Sequence, residues 1–167
     1  MIGRFLIFAL FSLVLLSCGD SLESQTEGTQ PLPNLPTSTS SATTTPTINE
    51  FKLEEISGAG CGMTLYKRDR AQDNLFVLFN GLDPDSMEMK INGEFMTFQR
   101  IDEAGEPFYG QYPSQTFTNS DGSMSVEVDV TLGEPGEIES VAIPEGTITV
   151  TQDGQSTTIN VMGGAGC

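Results

Sequence analysis

Histidine and tryptophan are both absent from this 167-residue chain, and only 7 residues are Lys or Arg against 23 that are Asp or Glu. Without histidine there is no Ser-His-Asp or Cys-His nucleophile pair, no histidine general base and no His-containing zinc site. Without tryptophan the largest aromatic ring for stacking a sugar is missing. The formal net charge of −16 sets the chain against nucleic acid, because that binding depends on neutralising phosphates. Anionic lipid headgroups offer such a chain no attraction. The same charge aids solubility and opposes self-association. Helical periodicity is missing too. Beyond the first residues no stretch sustains apolar positions at three-four spacing. No cofactor is expected, and no metal ligand set is complete.

The one long apolar run, Phe5 to Leu16, follows Arg4 and ends in Leu15-Leu16-Ser17-Cys18. It is too short to cross a bilayer, which takes about 20 apolar residues. It suits the apolar region of a signal peptide. An aliphatic residue, two small or aliphatic residues and a cysteine resemble the lipobox of bacterial lipoproteins. The resemblance covers only the first twenty or so residues. It implies a signal peptide over 1–17 and a membrane anchor of acyl chains, such as palmitate, on Cys18. Gly19, not Asp, follows the cysteine, which in that class favours the outer membrane where the host has one. The expected location is therefore the cell envelope. Removing residues 1–17 takes away one cation, Arg4, and leaves 6 basic and 23 acidic residues, so 6 − 23 = −17.

Residues 18–47 read as a disordered tether. Pro31, Pro33 and Pro36 punctuate it, and Thr37 to Thr47 is almost entirely Ser, Thr, Ala and Pro. Such a composition buries too little apolar surface to offset its ordering entropy. As a flexible coil it reaches about 30 Å, and in polyproline form about 95 Å. The Ser/Thr-Pro character also suits O-glycosylation.

From residue 48 to 167 the pattern becomes that of strands. Met124, Val126, Val128, Val130 and Leu132 occupy every second position, with Ser125, Glu127, Asp129 and Thr131 between them. One face is core and the other wet and acidic. Met87, Met89 and Ile91 alternate likewise and lead into Asn92-Gly93, a two-residue hairpin signal. Asp121-Gly122 and Asp153-Gly154 mark further turns. Leu75 to Phe79 is a continuous apolar run, as in a strand buried on both faces. Ile138 to Ile143 reads as a strand ended by Pro144. Thr147 to Thr151 and Ser156 to Met162 read as a hairpin. About nine short strands predict an all-β fold, an antiparallel sandwich or small barrel.

With Cys18 assigned to lipid, Cys61 and Cys167 remain, an even pair in an export context where disulfides persist. Gly58-Ala59-Gly60 precedes the first and Gly164-Ala165-Gly166 the second. Small flanks let two backbones approach within bridging range, so a Cys61–Cys167 disulfide is expected. Activation of either thiol lacks a His or Cys-x-x-Cys partner.

The candidate binding loop is Pro107 to Pro113, with Phe108, Tyr109 and Tyr112 between two prolines. The tyrosines offer flat amphipathic faces to a protein or glycan; the plainer reading has Phe108 pin the loop while the tyrosines cover its edge. Tyr66-Lys67-Arg68-Asp69-Arg70 is the one basic cluster, suited to an acidic partner or to local ion pairs. Asp83-Pro84-Asp85 and Asn119-Ser120-Asp121-Gly122 carry oxygen ligands, but neither completes a calcium loop, and turn chemistry accounts for both. The favoured reading is a non-enzymatic, membrane-anchored binding or envelope module. The alternatives are a carrier whose barrel holds an apolar ligand among Met87, Met89, Met96 and Phe98, and a carboxylate-based glycoside hydrolase.

Overall fold

A computed structural model describes residues 44–58, 60–136 and 138–167. The expected signal peptide, Cys18 and most of the tether lie outside these residues. Nine strands form: β1 (Ile48–Asn49), β2 (Gly62–Lys67), β3 (Leu78–Asn80), β4 (Met87–Ile91), β5 (Glu94–Ala104), β6 (Ser114–Thr118), β7 (Met124–Thr131), β8 (Ser140–Gln152) and β9 (Gln155–Gly166). From β2 onward each strand pairs antiparallel with the next, and β9 returns to pair with β2. The result is a closed eight-stranded up-and-down barrel with β1 as an additional strand beside β4. Of the two all-β architectures open to the sequence, the barrel is the one found.

The alternating pattern puts one apolar set inside. Along β7 burial alternates strictly, with Met124, Val126, Val128 and Val130 inward. Met63, Leu65, Met87, Met89, Phe98, Phe117, Ile148, Val150 and Val161 join them in one core. Each is at most 1% exposed. A water-sized void beside them would leave them accessible surface, so the barrel interior is filled by side chains. Eight strands enclose about the width that side chains can fill. Each such buried side chain contributes roughly 1.5–3 kcal/mol.

Closing the ring is the harder step, and glycines permit it. On β9, Gly163 lies between Leu65 of β2 and Ile143 of β8, both buried. A methyl at Gly163 would run into the Thr64 carbonyl. The Gly-Gly-Ala-Gly end of β9 is thus the strand that seals the barrel, which its low side-chain content hides from a periodicity reading. The Cys61–Cys167 disulfide sits at the end of this seam, with an S–S distance of 2.07 Å. The Cys167 N–H also donates to the Glu139 carbonyl at 2.9 Å.

Two other expectations are refined. Pro144 does not end its strand. β8 runs through it, and the pairing with β9 shifts between Ile143 and Gly146. Proline lacks a donor, and a bulge is where a strand tolerates that. In the apolar run 75–79 only Leu78 and Phe79 fall in a regular strand, yet Val77 to Asn80 are all buried. Their outer side is covered by the segment before β2. Gly58 lies against the Phe79 ring, and Ser57 donates to the Glu88 carboxylate through both its N–H (3.1 Å) and its hydroxyl.

The two ends of the barrel differ. At the turn end, strands join through the 68–77 segment, Asn92-Gly93, the 119–123 turn and Asp153-Gly154. Asn92, Gly93, Asp153 and Gly154 all have positive φ. The incoming chain docks here. Thr47 and Asn92 exchange hydrogen bonds of 2.8 and 2.9 Å, and the Gly93 N–H donates to Asn49 Oδ1 at 2.7 Å. The opposite, loop end carries 81–86, 105–113, 132–139 and the disulfide.

A bridge that closes a loop of separation 106 constrains the unfolded chain strongly. Replacing Cys61 and Cys167 together by serine is expected to cost about 2–5 kcal/mol in urea unfolding. Unchanged stability would mean that the seam holds without its staple.

Candidate functional site

The 105–113 loop folds back into the loop-end mouth as a plug. Phe108 and Gln111 exchange two backbone hydrogen bonds of 2.9 Å, making a small hairpin with Tyr109 and Gly110 at its tip. Phe108 packs on the barrel core. Gln111 is fully buried.

A polar network holds the plug, built from inward positions where the strands reach the mouth. Asn80 of β3 donates to Gln111 Oε1 at 2.6 Å and to Gln115 Oε1 of β6 at 3.2 Å. Gln111 Nε2 donates to the Gly81 carbonyl at 2.8 Å, and Gln115 Nε2 to the Tyr112 carbonyl at 3.1 Å. Arg100 of β5 donates to the Gly110 carbonyl at 3.0 Å and to Gln115 Oε1 at 3.1 Å. Its Nε meets Glu103 at 2.8 Å, and the guanidinium lies 5.2 Å from the centre of the Tyr112 ring. Buried amides satisfied this way fix one arrangement, whereas a lost partner costs about 1–3 kcal/mol. Arg100, Asn80, Gln111 and Gln115 carry no motif. Only the in-phase spacing of Arg100 with Phe98, and of Gln115 with Phe117, signals that they face inward.

The three aromatics are therefore together, in unequal roles. Phe108 is the pin, as the plainer reading has it. Tyr112 is half-buried between Arg100 and Glu103. Its hydrogen bond to Glu103, then the charge of that carboxylate, then partial burial hold its pKa above the ordinary value, against the opposing pull of Arg100. Tyr109 stands at the tip with φ of 47°. The other non-glycine residues with positive φ are Asn74, Asn92 and Asp153, the types that tolerate it. A tyrosine there costs about 1–2 kcal/mol of backbone energy. It is held by an edge-on stack with Phe108, centroids 4.5 Å apart. Partial burial, then the charge of Glu139 and a hydrogen bond to it, raise its pKa too. Beside the tip, Leu82 is 51% exposed, and Ile138 in the neighbouring loop is 73% exposed. A cleft of about 320 Å³ runs from Leu82 to Cys61, floored by Phe79 and edged by Asp83 and Ser86.

The remaining sequence candidates lie elsewhere. In the basic cluster, Lys67 pairs with Glu50, Arg68 with Glu145, and Arg70 with Glu50 and Asp73. Its charges are spent locally. Arg68 and Glu145 also border a groove of about 450 Å³ on the outer wall, with Asp129, Thr147 and Asn160. The Asn119–Gly122 stretch is turn chemistry. Asn119 accepts from the Met124 N–H at 3.0 Å, and Asp121 from the Ser123 N–H at 2.9 Å. Hydrogen bonding to Ser123 first of all lowers the Asp121 pKa. Asp83 and Asp85 flank Pro84 beside β5. Cys18 lies outside the described residues. No family model, curated protein or solved structure matches this chain.

Both phenols are held protonated, so their contribution to stability is complete below the unfolded value near 10 and is lost as pH rises through the higher folded values. Glu103→Gln removes the hydrogen-bonded carboxylate from Tyr112. Phenolate absorbance is expected to move one tyrosine toward its ordinary ionisation in that variant. An unmoved titration curve would exclude the Tyr112–Glu103 contact.

Proposed function

We propose that this chain is a non-enzymatic binding module of the cell envelope, lipid-anchored through Cys18, that meets its partner with the plugged loop end of the barrel. The observation that carries the reading is Tyr109. A left-handed tyrosine at a hairpin tip is poor turn chemistry, and Asn or Gly would serve the fold better. Backbone strain of this kind persists where the surroundings enforce it, and it concentrates at functional sites. Here a buried network of Asn80, Gln111, Gln115 and Arg100 enforces it. The exposed Leu82 and Ile138 beside it supply apolar surface of the kind partners cover.

Position supports the same reading. The described chain enters the barrel at the turn end, beside Thr47, and the plug lies at the opposite end. The carrier alternative draws support from the closed barrel and opposition from its contents. Of the side chains that would line a cavity, Met87, Met89 and Phe98 sit in the core with at most 1% exposure and Met96 packs partly buried against it, and the plug covers the mouth.

Photo-crosslinkers placed at Leu82 and at Thr149 of the outer wall separate the faces in living cells. Adducts with an envelope macromolecule are expected from position 82 and not from 149. Tyr109→Asn is expected to abolish them while changing stability by no more than about 1 kcal/mol, since the relieved backbone offsets the lost ring contact. Equal adducts from both faces would remove the loop end from consideration. Titration with an apolar fluorophore checks the carrier reading directly: no saturable binding is expected, and a one-to-one isotherm would favour the carrier.

A further inference from the structure

The barrel is closed at its waist but not along all of β5. This strand is longer than its neighbour on one side. β4 begins at Met87, opposite Phe98, so β5 beyond that point overhangs it. The Arg100 N–H still finds the Pro84 carbonyl at 2.6 Å. Past Arg100, Ile101 is the extra residue of a bulge, and Asp102, Glu103 and Ala104 pair only with β6 on the other side. Among the described residues no strand lies along their β4-facing margin. In its place is an open concavity of about 400 Å³ bordered by Pro84, Arg100, Ile101, Asp102 and Glu103. Ile101 is 60% exposed on this margin.

We propose that this margin of β5 takes an extended, basic peptide segment as an added strand. The inference rests on the reading of the loop end as the binding end and names how a partner is held there. Main-chain groups without a neighbouring strand are a template for strand addition, with pockets for alternate side chains giving selectivity. The exposed Ile101 side chain and Pro84 supply an apolar contact within a concavity otherwise lined by Arg100, Asp102 and Glu103.

The charge of the partner follows from the carboxylates. Asp83, Asp85, Asp102 and Glu106 surround the margin, and among the described residues none of them has a cation within 4 Å. The one local cation, Arg100, is engaged by Glu103 and the plug. Unpaired acids on an open edge are a device that keeps it from pairing with its own kind. In a chain of formal charge −16 they repel a second copy. The same carboxylates attract a strand bearing Lys or Arg, so one feature both rejects self-pairing and selects the partner.

The test uses the full-length chain in detergent micelles and a synthetic peptide of alternating Lys and Val. A fully N-methylated peptide of the same sequence keeps the charge and loses the backbone donors. Slowed amide exchange confined to Ile101–Ala104 is expected with the first peptide. The N-methylated peptide is expected to bind about tenfold more weakly or worse, a difference of about 1.4 kcal/mol. Ile101→Lys, a change at an exposed position, is expected to weaken the first peptide by a similar factor. Equal binding of the two peptides would reduce the effect to general charge attraction and overturn the proposal, as would protection spread over the acidic outer wall. Tyr109→Asn distinguishes the two readings. Protection at 101–104 that survives this variant supports the margin independently of the hairpin tip, and protection that vanishes with it moves the contact to the plug.

Discussion

The seam between β2 and β9 is the contact on which the rest of this structure depends. A meander of eight strands becomes a barrel only when its last strand lies beside its first, and here that costs a large loop closure. The last strand meets the cost by giving up side chains. Gly163 lets β9 settle against the Thr64 carbonyl and leaves room for Leu65 and Ile143 on either side. The disulfide then holds the outer end of the same seam. Without this closure Met63 and Val161 would lie at two open edges, and the core would lose its wall.

Closure has a consequence for function. A ring of eight strands lined by Met, Leu, Val and Phe has no space left inside. Chemistry or recognition then has to sit on the rim or the outer wall. The rims were built from different materials. The turn end uses Asn-Gly and Asp-Gly, whose conformations are inexpensive. The loop end uses a tyrosine in a left-handed conformation and three buried amides, joined by the part-buried Arg100, that must all find partners. Structure of that kind is not needed to connect two strands. Its presence at the end opposite the entry of the described chain beside Thr47 gives the barrel a polarity that its regular core lacks.

Most of the wall was legible in the sequence, because alternation survives wherever side chains alternate. β4, β7 and the β8–β9 hairpin follow directly from their patterns, and the disulfide follows from two cysteines with small flanks. Three parts were not legible. The sealing half of β9 is glycine and alanine, which carry no alternation. Pro144 looks like a stop, and only the bulge beside it explains why the strand continues. The plug was visible as an aromatic loop, but its buttress was not. Asn80, Arg100, Gln111 and Gln115 come from three strands and a loop that meet only in the folded barrel, so no local signal joins them.

The distribution of charge links these parts. Every described cation has a carboxylate within 4 Å: Lys52, Lys67, Arg68, Arg70, Lys90 and Arg100 each have an acidic partner. Exposed pairs of this sort add little stability, but they decide where charge is left over. The basic cluster near β2 is cancelled, so it presents no positive patch. Among the described residues, acids without a cation partner lie at the turn end (Glu94, Asp121 and Asp153), on the outward positions of β7 and around the loop end. On β7 they alternate with the core and keep a closed wall wet. At the loop end they frame an unpaired strand margin and exposed apolar side chains. With its own cations consumed, the domain can neutralise those acids only with charge from outside. Association at this end is therefore expected to weaken as salt rises, because exposed charges are screened within about 8–10 Å at ordinary ionic strength, while the apolar and main-chain part of the contact persists.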